Sequence, residues 1–197
     1  MCRLFLNFIN DIEADDTGYD VGVKFVTSYK NQISDLKQYY GNSSYIYSTY
    51  SVIDLSKIDN LVTSLNEFVS DINIIENYNE IAKVRSNLYQ YAYAQANEPS
   101  YDMVDLYNLI DGLKELSPKK AEQVLNDIED VVVYNWATND SSRGLSIYFP
   151  YNGDNNIKER FLELYSDFDS FDKYNNFISK FYLSFKLQIT FIILFAF

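Results

Sequence analysis

One thiol and no imidazole set the chemical reach of this sequence. Cys2 follows Met1, and none of the 197 residues is histidine. A Ser-His or Cys-His couple, a histidine general base, and a zinc site of the His or multi-Cys kind all lie outside its means. Cys2 as a nucleophile would need a base and an electropositive pocket, and with no histidine to serve it, it reads as inert. A lone cysteine makes no internal disulfide, so no oxidising compartment is implied.

Carboxylates are plentiful, at 28 acids against 16 bases and a net charge of −12, but their spacing selects no chemistry. Asp16-Thr17-Gly18 has the form of the aspartic-peptidase triplet, where two such carboxylates share a proton. It occurs once, after an acidic loop and before a helix, so a loop at a helix start is the better reading. No pair of acids stands out as a glycosidase couple. Asp11, Glu13, Asp15 and Asp16 offer hard oxygens for calcium but lack the Asp/Asn-Gly-Glu alternation of an EF-hand. They read as a solvated loop, as do Asp167, Asp169 and Asp172. Tyr89, Tyr91 and Tyr93 could stack against sugars, but core packing is the simpler reading. No catalytic, cofactor or metal residue is assigned. The acidity argues against nucleic acid and anionic lipid as partners.

The elements that would position any site are mostly helical. Hydrophobic residues are 47%, enough for one sizeable core, and scarce Gly (6) and Pro (3) disfavour an all-β chain. Phe25, Tyr29, Ile33, Leu36 and Tyr40 place a helix over about 21–40, closed by Gly41-Asn42-Ser43-Ser44. Tyr45–Ile53 reads as a strand. Ser56-Lys57-Ile58-Asp59 resembles a capping box ahead of the face Leu61, Leu65, Phe68, Val69 and Ile72. A further helix carries Ile81, Val84, Leu88 and Tyr91. Asp102 is expected to cap the next, with Met103, Leu106, Ile110 and Leu113 inside. Ser117-Pro118 starts a helix burying Ala121, Val124, Leu125, Ile128 and Val131.

After the polar loop Asn139–Gly144, Leu145–Phe149 is a short strand stopped by Pro150. Two last helices follow, one with Ile157, Phe161 and Leu164, the other with Phe171, Tyr174, Ile178, Phe181 and Phe185. Neither end reads as a targeting element. The apolar start is too short for a signal peptide. Ile189–Phe197 is uncharged, shorter than a membrane span, and reads as a buried strand or an artefact of truncation or frameshift. No linker divides the chain, so 1–186 reads as one region and 187–197 as an apolar tail.

Three stretches together carry a family resemblance: Thr49-Tyr50-Ser51-Val52-Ile53-Asp54-Leu55-Ser56-Lys57-Ile58, Tyr101-Asp102-Met103-Val104-Asp105-Leu106, and Gly144-Leu145-Ser146-Ile147-Tyr148-Phe149-Pro150. With Val84-Arg85-Ser86 between the first two, they resemble, in order and spacing over about residues 45–186, the part of clostripain-family cysteine peptidases that follows the catalytic cysteine. The resemblance implies a predominantly helical α/β chain, the C-terminal part of a caspase- or gingipain-like α/β/α sandwich with helical elaboration. It implies peptide-bond cleavage, commonly after basic residues, by a thiolate with a histidine partner. It implies relatives that are often secreted or associated with the cell envelope.

The family's His-Gly and Asp-x-Cys segments align with nothing here, so this chain is expected to be non-catalytic alone. Its partner would be a separate catalytic half, or basic peptides captured on an acidic module. The Tyr45–Ile53 and Leu145–Phe149 strands are expected to share one sheet, with an edge and an apolar face uncovered.

Overall fold

A computed structural model describes residues 8–40, 48–91, 102–138, 141–150 and 169–195, with side chains up to 38 in the first stretch and over 170–184 in the last. The first long helix, α1 (Gly18–Tyr40), starts where Thr17 and Asp20 cap each other reciprocally. The Thr17 N–H donates to Asp20 Oδ2 (2.9 Å) and the Asp20 N–H to Thr17 Oγ1 (3.3 Å). Asp16, the acid of the Asp-Thr-Gly triplet, accepts two bonds from Lys24 Nζ (2.7 and 2.8 Å) and one from the Glu13 N–H (2.8 Å). Lys24 and these bonds hold its carboxyl below the usual range, so the triplet is a helix-start device.

α1 lies on β1 (Thr49–Ile53), which pairs antiparallel with β4 (Val132–Ala137). The helix buries Val26 and Ile33 and sets the rings of Phe25 and Tyr29 at 6.0 and 4.1 Å from that of Tyr50. It comes so close that a Cβ on Gly22 would stand 2.6 Å from a methyl of Val52.

The helical core follows its sequence stripes closely. α2 (Ile58–Asp71) buries Leu61, Leu65, Phe68 and Val69. α3 (Ile74–Asn87) buries Ile74, Tyr78 and Ile81, with Asn73 capping through the Glu76 N–H. α4 (Leu106–Leu113) and α5 (Pro118–Val131) add Leu109, Ile110, Leu113, Ala121, Val124 and Ile128. α6 (Asp172–Phe195) closes the group with Tyr174, Phe177, Ile178 and Phe181, the last stacked on Tyr78 at 5.2 Å. Each such large side chain contributes about 1.5–3 kcal/mol on burial. Against this core lies a sheet of order β2 (Gln90–Tyr91), β3 (Met103–Asp105), β5 (Ser146–Tyr148), all antiparallel.

Several expectations are corrected. β1 and the 145–149 strand do not share a sheet: β1 pairs only with β4 among the described residues, and β5 pairs with β3. β4 had no signal of its own, because Val131 ends a helical stripe and the apolar run simply continues. Met103 belongs to a strand, not a helix face, and the cap of α4 is Asp105, whose side chain accepts from the Asn108 N–H (3.0 Å). Tyr91 lies in β2, beyond the end of α3. Asp54 caps the turn at Leu55–Lys57 in place of a Ser56 capping box. Ser117 makes no side-chain cap and gives its hydroxyl to Asp71 Oδ2 (2.5 Å). Residues 189–195 continue α6 as helix rather than forming a strand. Among the described residues no helix is long and apolar enough to cross a membrane. Tyr45, Tyr93, Ile157, Phe161, Leu164 and Asp167 lie outside the described residues.

Candidate functional site

The segments 84–86, 102–106 and 144–150 converge on one buried polar network between the helical core and the two sheets. Its first half is a closed ring. Arg85, fully buried on α3, donates from Nη2 to Asp102 Oδ1 (3.0 Å) and from Nε to the Phe149 carbonyl (2.6 Å). The Phe149 N–H returns to the Asp102 carbonyl (2.8 Å), and the guanidinium carbon lies 6.0 Å from the Phe149 ring centroid. Asp102 sits at φ +51°, a left-handed conformation that Asp tolerates better than most residues. A helix, the entry to β3 and the exit from β5 are thereby held at one point.

The second half is a hydroxyl relay into a fully buried carboxylate. Asp105 accepts from the Tyr91 hydroxyl (2.6 Å), the Arg143 N–H (2.7 Å) and, through its cap, Asn108 N–H. Because a carboxylate only accepts, the single Tyr91 proton goes there. Ser142 Oγ, 2.8 Å from the phenol oxygen, then supplies its own proton to Tyr91, and Thr49 Oγ1 (2.9 Å) supplies one to Ser142. Asn135 of β4 donates to the Ser142 carbonyl (2.9 Å) and accepts from Ser51 Oγ (3.1 Å). The relay therefore joins β1 and β4 to β2 and β3 through the 141–144 loop.

Gly144 makes this loop possible. It adopts φ +106°, and a Cβ there would stand 2.7 Å from a Val132 methyl and 2.9 Å from Ser51 Oγ. Only glycine takes both the backbone conformation and the close approach. Beside it, the exposed Arg143 guanidinium lies 5.5 Å from the Tyr107 ring centroid.

What this arrangement does chemically is hold geometry. Burial first, and then its bond to Asp105, push the Tyr91 phenol above its ordinary pKa, so it stays a neutral donor. Tyr50, desolvated and bonded to Tyr29, is pushed up to about 12. Both phenols bind their protons more tightly folded than unfolded, so stability is flat below pH 10, the unfolded value, and falls as pH rises from there toward and past 12. Urea unfolding between pH 8 and 11.5 is expected to show that loss, and phenolate absorbance at 295 nm should show two tyrosines ionising late. A stability that rises over this range would contradict the assignment.

Sequence reasoning placed Tyr91 in packing and missed its partner. An aromatic residue four positions past a helix end carries no mark of a buried carboxylate 14 residues on. Cys2 lies outside the described residues, and among those described no group of three His, Cys, Asp or Glu side chains could hold a metal ion.

Comparison with known proteins gives one family. A model described as the clostripain family matches residues 5–186, beginning upstream of the motifs at 49–58. No curated protein matches the chain.

Proposed function

The chain belongs to the clostripain family, a relation to cysteine peptidases, and on that footing we propose that it is the non-catalytic scaffold portion of a thiol endopeptidase acting after basic residues. The observation that carries this reading is the absence of histidine from all 197 residues, since a peptidase thiolate needs an imidazole to activate it and to protonate the leaving amine. Thiol and imidazole would come from other polypeptide, and residues 1–186 would act as one region. The two small sheets would extend a caspase-like α/β/α sandwich, with the Arg85–Asp102 ring and the Asp105 relay fixing their relation. None of this chain's residues is given a catalytic role.

Fluorogenic Arg- and Lys-peptide amides are expected to stay intact with the isolated chain, with or without iodoacetamide. Turnover that iodoacetamide and Cys2→Ser both abolish would overturn the proposal.

The net charge of −12 favours a second reading, an acidic module that captures basic peptides. Binding of an oligolysine peptide that weakens steeply between 50 and 500 mM salt would support it, and no binding at low salt would exclude it.

A further inference from the structure

We infer that the outer edge of β4 is a docking edge for an extended strand of another polypeptide, one that is uncharged along its middle and basic at its ends. The β1–β4 ribbon supports this docking edge independently of the peptidase reading. None of its eleven residues is buried, and Val133 is 38% exposed, whereas in the other sheet Val104, Asp105, Ile147 and Tyr148 are all buried. Helix α1 packs on one face of this ribbon, and a third strand would bury more of it.

Among the described residues β4 has no strand on its outer edge. The Thr138 N–H donates to the Ser48 carbonyl (2.9 Å), so the alternation of an antiparallel ladder turns the backbone groups of Tyr134 and Trp136 toward β1, and those of Asn135 and Ala137 outward. Among the described residues no hydrogen bond takes up those outward groups. The contrast is β5, whose outward Tyr148 carbonyl is occupied by Tyr174 Oη (2.7 Å). β4 also lacks the usual guards, since Val-Val-Tyr-Asn-Trp-Ala has no charge and no proline. The bulge at Val133 bends only its first end. β1 is shorter, and its Thr49 and Ser51 are tied to Ser142 and Asn135.

Charge selects the occupant. Glu129 and Asp130, both exposed, stand just before β4, with Asp54 joined across to Val131 and countered by Lys57. A second copy would bring another −12, which opposes self-pairing. A strand ending in lysines meets the acidic end instead.

Trp136, the sole tryptophan, lies in β4 and reports directly. The probe is the peptide Lys-Thr-Val-Thr-Val-Thr-Lys added to the full chain, with its Glu-ended counterpart as control. Expected are a saturable blue shift of Trp136 emission, slowed amide exchange at Asn135 and Ala137, and weaker binding of the Glu-ended peptide. Ala137→Pro removes an outward N–H without touching the ladder, and should weaken binding about tenfold, the equivalent of one net hydrogen bond, at unchanged melting temperature. If that variant does not fold, the peptide pair and the amide map decide. No shift with the Lys-ended peptide, equal binding of both peptides, protection confined to Thr49 and Ser51, or Asn135 and Ala137 already protected in the free monomer or by dimerisation would each overturn the inference.

Discussion

Replacing Arg85 by methionine is expected to lower the unfolding free energy by about 3–5 kcal/mol, the cost of leaving one member of a buried ion pair alone. Asp102 would keep its carboxylate 3% exposed with its guanidinium partner gone, and the Phe149 carbonyl would lose the bond from Nε. Urea unfolding of four proteins tests this: the parent, Arg85→Met, Asp102→Asn and the double variant. Asn tolerates φ +51° as Asp does, so Asp102→Asn removes charge without adding strain. The double variant should be less destabilised than the sum of the single changes, because the second change relieves the stranded charge. Simple additivity would mean that the two groups are not energetically coupled, and would overturn the role given to the ring.

Asp105→Ala comes second in size, at about 3 kcal/mol. Bonds to a charged acceptor are worth about 1.5–3 kcal/mol each, with partial recovery where the freed donors reach water. Three donors lose their acceptor at once: Tyr91 Oη, the Asn108 N–H at the start of α4, and the Arg143 N–H. The loss has a local signature that a general drop in stability would not give. Arg143 should exchange its amide proton far faster than core amides on α5, because the 141–144 loop loses its anchor while Val124 and Ile128 keep theirs. Asp105→Asn should fall short of full rescue, since its amide nitrogen would face one of the donors. Equal acceleration at Arg143 and throughout α5 would show that the carboxylate supports the whole fold and not the loop.

How much of this could be read in the sequence depended on the range of the interaction. The stripe of Leu61, Leu65, Phe68 and Val69 was legible because a helix face repeats every three to four residues and one element suffices to show it. Ala121, Val124, Ile128 and Val131 behind Pro118 were legible for the same reason. Strand pairing was not. Tyr50 meets Trp136 and Val104 meets Ile147, and nothing local distinguishes those partners from the rejected pairing of β1 with β5. Capping failed by a few residues at Asp102, because two acids, Asp102 and Asp105, both precede apolar helix-forming residues. The left-handed backbone at the first left the second to do the capping.

The network itself was visible only as motif letters. Arg85, Asp102, Asp105 and Gly144 stood inside the family-like segments, but their roles depend on contacts that span up to 93 residues, as between Thr49 and Ser142.

Those spans bear on the order in which the chain can fold as it leaves the ribosome. Arg85 and Asp102 are 17 residues apart and emerge nearly together, but the carbonyl that completes their ring is 64 residues after Arg85. Thr49 and β1 likewise wait for β4 and Ser142, and Asn66 on α2 waits for the Tyr174 N–H, 108 residues on. α2 to α5 can collapse early through neighbouring helix contacts. The polar ring cannot close until Phe149 has been made, and α6 docks later still. A nascent chain that stops short of residue 149 would hold Arg85 and Asp102 in a half-built interior, a form suited to recognition by chaperones and proteases. Synthesis of residues 149–181, which supply the Phe149 carbonyl and the buried face of α6, is thus the step at which this fold commits to its native state.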